Sequence, residues 1–134
     1  MTTYEAWERD VEAAVKQGPL WESYGYRKAL FVYDLVWRDC GYWQKERRSW
    51  AIVDQIIRSA GSISANIEEG FGRGFGRDYA RFLKIALGSA RETQGWYWRG
   101  RQMLPAEVYQ HRVKLLDEVI ALLISEINRQ LGRR

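Results

Sequence analysis

The sequence predicts an all-α protein, an antiparallel up-down four-helix bundle with a short N-terminal helical extension. Three observations predict it. Only two prolines, Pro19 and Pro105, interrupt the 134 residues, and Gly70, Gly72, Gly74 and Gly76 form one dense breaker. Between these breaks apolar residues recur at spacings of three and four, and nothing alternates as a strand would. Long helices joined by short connections pack most simply as antiparallel neighbours crossing at ~20°. Residues 1–21 are read as the extension and residues 22–134 as a single bundle domain.

The extension reads as one helix over residues 3–17, with Thr3 as its N-cap and Tyr4, Trp7, Val11 and Val15 at helical spacing. Gly18 and Pro19 end it. A first long helix over residues 22–40 repeats Tyr26, Leu30, Tyr33, Trp37 and Cys40 like heptad core positions. Phe31, Val32, Leu35 and Val36 make that helix apolar on other sides too, which calls for a neighbouring subunit. A second helix over residues 45–69 sets Ile52, Ile56, Ala60, Ile63 and Ile67 against Arg58, Ser62, Asn66 and Glu69. A third, over residues 77–102, buries Tyr79, Phe82, Leu83, Ala86, Ala90 and Tyr97. The fourth follows Pro105, which suits a first helical position. Its core stripe is Tyr109, Val113, Leu116, Ile120, Leu123 and Ile127, while Val108, Leu115, Val119 and Leu122 form a second apolar face. Phe31, Leu35, Leu115 and Leu122 are therefore the expected subunit contacts of a homo-oligomer.

Composition narrows the function classes. Lys and Arg number 21 against 17 Asp and Glu, for a net charge of +4, a balance that favours anionic partners. Seven Trp, eight Tyr and four Phe exceed what a minimal four-helix core needs, and part of that surface is expected at subunit contacts. Cys40 is the lone cysteine, which excludes an intrachain disulfide or a cysteine-based zinc site and fits a reducing compartment. The first residues lack the order of a signal peptide, and no segment approaches ~18 uncharged apolar residues, so a cytoplasmic protein without a membrane span is expected.

One stretch carries a long ordered pattern. Arg58, Ser62, Ile63, Asn66, Ile67, Glu69, Gly70, Phe71, Gly72, Arg73, Tyr79, Arg81, Phe82, Leu83, Ile85, Ala86, Gly88, Ser89 and Glu92 follow one another in register. This pattern resembles the four-helix bundle proteins whose founding members are encoded in intervening sequences of bacterial large-subunit ribosomal RNA genes. Leu35, Val36 and Trp37 are similar to the family's Val-Trp segment. Family members usually place Ser as the cap of the third helix, where this chain has Phe75 among glycines, so the cap must come from backbone or elsewhere. The resemblance implies an antiparallel four-helix bundle, pentameric rings with a central channel, and no established enzymatic activity. The accessory proteins of diversity-generating retroelements, which bind nucleic acid and a reverse transcriptase, look similar in architecture. That likeness concerns the fold alone.

No enzyme is expected from the residues themselves. The loop from Gly70 to Arg77 follows a helix rather than a strand and lacks Gly-Lys-Ser or Gly-Lys-Thr, so it reads as a helix connection rather than a nucleotide cradle. Arg73 and Phe75 within it offer charge and stacking to RNA. The face formed by Arg58, Ser62, Asn66 and Glu69, with Glu92, reads as a structural polar network in which Arg58 pairs with Glu69 or Glu92 and Asn66 bonds across a helix contact. No nucleophile and histidine accompany these carboxylates. A di-metal site needs Glu-x-x-His pairs, and the single His111 reads as a surface residue, so no metal and no cofactor are expected.

The sharper expectation is an anion-binding strip. Projecting the third helix at ~100° per residue places Arg77, Arg81, Lys84, Gly88, Arg91, Gly95 and Arg99 within roughly 80°, opposite its apolar stripe. A solvated face usually alternates signs, whereas this one does not. With Arg73, the basic residues Arg77, Arg81, Lys84, Arg91 and Arg99 are the expected nucleic-acid contacts of an RNA- or DNA-binding accessory protein. The rival reading is a structural or protein-interaction scaffold whose basic residues are merely solvated.

Overall fold

The computed structural model describes residues 2–132; residue 1 of the expected extension and residues 133 and 134 of the expected domain lie outside the described residues. Among the described residues every regular element is helical. Thr3 caps α1 (Tyr4–Asp10), its hydroxyl accepting from the Ala6 amide at 3.1 Å. The helix stops short of residue 17, because Val11 and Glu12 both take an extended ψ of 137°, leaving α2 (Ala13–Lys16) as a single turn. Tertiary contacts outweigh the periodicity here. The Trp7 indole donates to Asp34 at 2.8 Å and its ring lies 5.3 Å from Phe31, while Tyr4 meets Phe31 edge-on at 5.5 Å. A 3-10 turn (Pro19–Glu22) leads into α3 (Tyr24–Trp43), and the Arg27 guanidinium secures that turn by donating to the Trp21 carbonyl.

Three longer helices follow, α4 (Trp50–Gly72), α5 (Arg77–Arg99) and α6 (Ala106–Leu131). α4 starts later than expected because residues 47–49 form a 3-10 turn, with the Glu46 carboxylate accepting from the Arg48 amide. α3 and α5 each pack on both α4 and α6. In every such pair early residues of one helix meet late residues of the other: Tyr26 with Glu68, Phe82 with Gly70, Val113 with Gln94, Arg112 with Asp39.

This packing corrects the expected face of α3. Tyr26 and Cys40 are buried as expected and Leu30 and Tyr33 partly so, but Trp37, read as a core position, is 66% exposed, and the buried stripe runs through Ala29, Val32, Val36 and Trp43. It also corrects the expected subunit contacts. Phe31, Leu35 and Leu115 are buried within the single chain, and Leu122 is half-buried, with its Cβ near Gly25. The physical reason is that α1 folds back over the outer side of α3 and covers Phe31, and α6 uses both apolar faces because it packs on both α3 and α5. Within the single chain these faces are largely covered, with Leu122 left half-buried.

Two glycines behave oppositely, and the difference is measurable. A Cβ on Gly70 would lie 2.6 Å from the Phe82 Cβ and 2.8 Å from Tyr79, so α4 and α5 approach through that position. Around Gly88 nothing lies within 4 Å of a Cβ. Overpacking costs about 1–3 kcal/mol, against a helix gain of about 1 kcal/mol for Gly to Ala. Chemical denaturation is therefore expected to show Gly70→Ala destabilised, with Gly88→Ala gaining up to about 1 kcal/mol. Equal effects at both positions would contradict the close approach at Gly70.

Candidate nucleic-acid interface

The expected strip is present on α5. Tyr79, Phe82, Leu83, Ala86, Ala90 and Tyr97 are buried, which turns Arg77, Arg81, Lys84, Arg91 and Arg99 outward, all exposed, with Gly95 half-buried. Gly88 lies on the same outward face. The helix begins in the glycine loop, where Gly74 and Gly76 adopt φ of 101° and 81°, conformations that only glycine takes without strain. Gly76 serves as the N-cap without a side-chain bond; its own amide donates to Gln130 Oε1 at 2.8 Å, tying the loop to α6. The missing cap serine is thus offset by a glycine conformation and a contact from another helix.

Two arginines of the strip, Arg81 and Arg99, lie over rings. Arg81 lies 4.6 Å from the Phe82 ring centroid, and Arg73 reaches the same ring at 5.4 Å, so the structure brings the loop arginine to the start of the strip. Arg73 also pairs with Glu69 at 3.2 Å. At the other end Arg99 lies across Gly95 and over Trp96 at 4.7 Å, and the Trp96 indole donates to Glu92 at 2.9 Å. Among the described residues Arg77, Lys84 and Arg91 make no ion pair. Neighbouring like charges at these spacings cost about 0.2–0.5 kcal/mol per pair, a repulsion that an anion would relieve.

The expected polar network is rearranged. Asn66 donates to the carbonyl and hydroxyl of Ser62, both at 2.8 Å, within its own helix rather than across a contact. The hydroxyls make the crossing between α4 and α5: Ser89 to Ser62 at 2.9 Å and Thr93 to Ser59 at 2.9 Å. Arg58 is exposed, and its expected partners are committed elsewhere, Glu69 to Arg73 and Glu92 to Trp96. Short side chains let the two helices come close, so the long Arg58 side chain is left on the outside.

A polar cluster that sequence reasoning missed lies in the core. Arg112 donates to both oxygens of Asp39, at 2.6 and 3.0 Å, with the two side chains 4% and 1% exposed, and the Tyr97 hydroxyl donates to Asp39 at 2.7 Å. Burial, then the Asp39 charge, holds the Tyr97 hydroxyl well above its ordinary pKa. Burial also opposes the Arg112 charge, but its bonds to Asp39 outweigh that and raise its pKa. His111, expected at the surface, is half-buried with Nδ1 2.7 Å from Arg112, and burial together with the Arg112 charge lowers its pKa. The available signal was one charge of each sign inside the apolar spacing of α3 and α6. Cys40 beside this cluster is raised by burial to about 11, so its thiol stays protonated and unreactive near neutrality.

At the glycine-loop end a cavity opens between the 3-10 turn and the loop, lined by Leu20, Tyr24, Phe71, Phe75, Tyr79 and Leu122 among others. Burial and then Glu126 push the Tyr79 hydroxyl up to about 12. Among the described residues no group of three or more His, Cys, Asp or Glu could hold a metal ion, and no helix is long and apolar enough to cross a membrane.

Comparison with known proteins places this geometry in a family. No curated protein matches the chain. Among solved structures it is similar to a protein of unknown function from the S23 ribosomal protein family of Bacteroides thetaiotaomicron. The two share 28% identity with a TM-score of 0.70, over 77% of this chain and 97% of the other. Residues 23–125 match the model of the 23S rRNA-intervening sequence proteins. That span holds all four long helices up to the last turns of α6 and leaves out α1 and α2, and the chain belongs to the 23S rRNA-intervening sequence protein family.

Proposed function

We propose that this protein is a non-enzymatic nucleic-acid-binding accessory module of the cytoplasm, assisting a ribonucleoprotein or a reverse transcriptase. Its four long helices act as an antiparallel up-down bundle that displays the α5 strip. The cyclic packing of α3, α4, α5 and α6, with early residues against late ones, supports that arrangement. The observation that carries the function is the strip itself, with Arg77, Lys84 and Arg91 exposed on one face and without a carboxylate partner among the described residues. Assembly into a homo-oligomer, a pentamer by family likeness, belongs to the same reading. Since Phe31, Leu35 and Leu115 are used internally, the surface for it is sought among exposed apolar side chains such as Trp37, Ile85 and Ile124.

Two measurements on the purified protein test the reading. Binding to RNA or DNA is expected to weaken steeply with salt, because each neutralised phosphate contributes ~0.7–0.9 to the log-log slope. Light scattering is expected to report an oligomer. Absence of salt-sensitive binding would leave the scaffold reading in place, and a monomer at micromolar concentration would remove the ring.

A further inference from the structure

A second cationic surface lies at the opposite end of α4 and α5 from the glycine loop. Each of these helices has 23 residues, which separates the two ends by about 34 Å. The links between α3 and α4 and between α5 and α6 meet there, because the buried Trp43 indole donates to the Gly100 carbonyl at 2.9 Å. From residues 44 to 49 and 99 to 105 the chain carries Lys45, Arg47, Arg48, Arg99 and Arg101 against Glu46 alone. Glu46 is committed to Arg48 at 2.7 Å.

Two exposed indoles accompany these cations. Trp50 is 55% and Trp98 54% exposed, although both are large apolar side chains. Neither is loosely placed. The Trp50 indole N–H donates to the Gln44 carbonyl at 3.0 Å, with the Arg47 guanidinium 5.9 Å from the ring centroid. Arg101 lies 3.5 Å over Trp98 and donates to the Trp98 carbonyl at 2.8 Å, while Tyr109 flanks the ring at 6.3 Å. Trp50 is thus fixed through its N–H, and Trp98 by the guanidinium over one face, which leaves its other face for stacking.

We infer that this end of the molecule is a stacking platform for unpaired nucleotides of a single-stranded nucleic acid. The inference rests on the nucleic-acid reading above and adds the class of strand and a surface outside most of the α5 strip. Indoles stack on any base, and guanidinium planes stack as well while meeting the adjoining phosphates. Within a duplex the bases are already stacked on one another, and only the two terminal pairs offer the indoles a face. Arg99 connects the two surfaces, ending the strip and beginning the platform.

Anisotropy titrations with a labelled single strand and with the blunt duplex of the same sequence test the inference. Wild-type protein is expected to prefer the single strand. The double variant Trp50→Ala, Trp98→Ala is expected to bind it roughly tenfold or more weakly with an unchanged salt slope, since stacking releases no counterions. Trp98→Tyr, which keeps a ring, should bind more tightly than Trp98→Ala, and Tyr24→Ala, which removes an exposed ring at the far end of α3, should bind as wild type. Equal affinity for the duplex, an unaffected double variant, or competition by polyglutamate as effective as by the single strand would each overturn the platform. If wild-type protein binds neither strand, the nucleic-acid reading falls as well. If the double variant binds normally while removal of the strip charges weakens binding, only the platform falls.

Discussion

Asp39→Ala is expected to remove about 3–5 kcal/mol of folding stability, a large share of the roughly 5–15 kcal/mol a domain ordinarily has. The substitution takes both carboxylate oxygens from Arg112, leaving its charge with only the neighbouring His111 ring, and the side chain is 4% exposed and cannot reach water without opening the contact between α3 and α6. It also strands the Tyr97 hydroxyl, whose hydrogen bond goes to the same carboxylate. The guanidinium cannot shed its proton to escape, because arginine stays charged at any accessible pH. Arg112→Met is expected to cost as much, since it leaves the Asp39 carboxylate buried with Tyr97 alone. The combined variant Asp39→Leu, Arg112→Met, Tyr97→Phe should recover most of the stability, because apolar groups of similar volume need no partners. Chemical denaturation of the single and combined variants provides the measurement. A loss below about 1 kcal/mol for Asp39→Ala would mean that water enters the site and that the pair behaves as a surface ion pair.

The same cluster shows where sequence reading stops. Asp39 and Arg112 are 73 residues apart, and each taken alone reads as a polar residue on a helix. Only the packing of α3 on α6 brings them together. By contrast α5 is legible almost residue by residue, because its apolar stripe and its basic strip differ sharply and only one orientation buries the first while exposing the second. α3 lacks that contrast. Phe31, Val32, Leu35, Val36 and Trp37 surround it, so periodicity admits more than one core face, and the choice falls to α1, which covers Phe31 and leaves Trp37 outside. The break at Val11 and Glu12 has the same origin, since the chain bends there while Trp7 is held on Asp34. The polar network is half legible. Helical spacing puts Ser62 and Asn66 on one face, where they do bond, but the donors that join α4 to α5 are the hydroxyls of Ser89 and Thr93.

Replacing Lys84, Arg91 and Arg99 together by Gln is expected to lower the salt slope of nucleic-acid binding by about 2 to 3, at ~0.7–0.9 for each phosphate no longer neutralised. Lys84 and Arg91 are exposed, with no ion pair among the described residues, so their removal leaves the fold nearly unchanged and slightly relieves like-charge repulsion. Arg99 lies over Trp96, and its replacement removes a cation–π interaction of about 0.5–1 kcal/mol, too little to unfold the helix. The change in net charge alone needs its own control. Arg9, Lys16 and Arg38→Gln removes the same charge from the N-terminal segment and α3, which do not form the strip. If the strip is the site, the first variant loses both affinity and slope while the control keeps its slope. Equal losses in both would mean that nucleic acid responds only to total charge. An unchanged slope in the first would return the exposed basic face of α5 to solvent or to a neighbouring subunit.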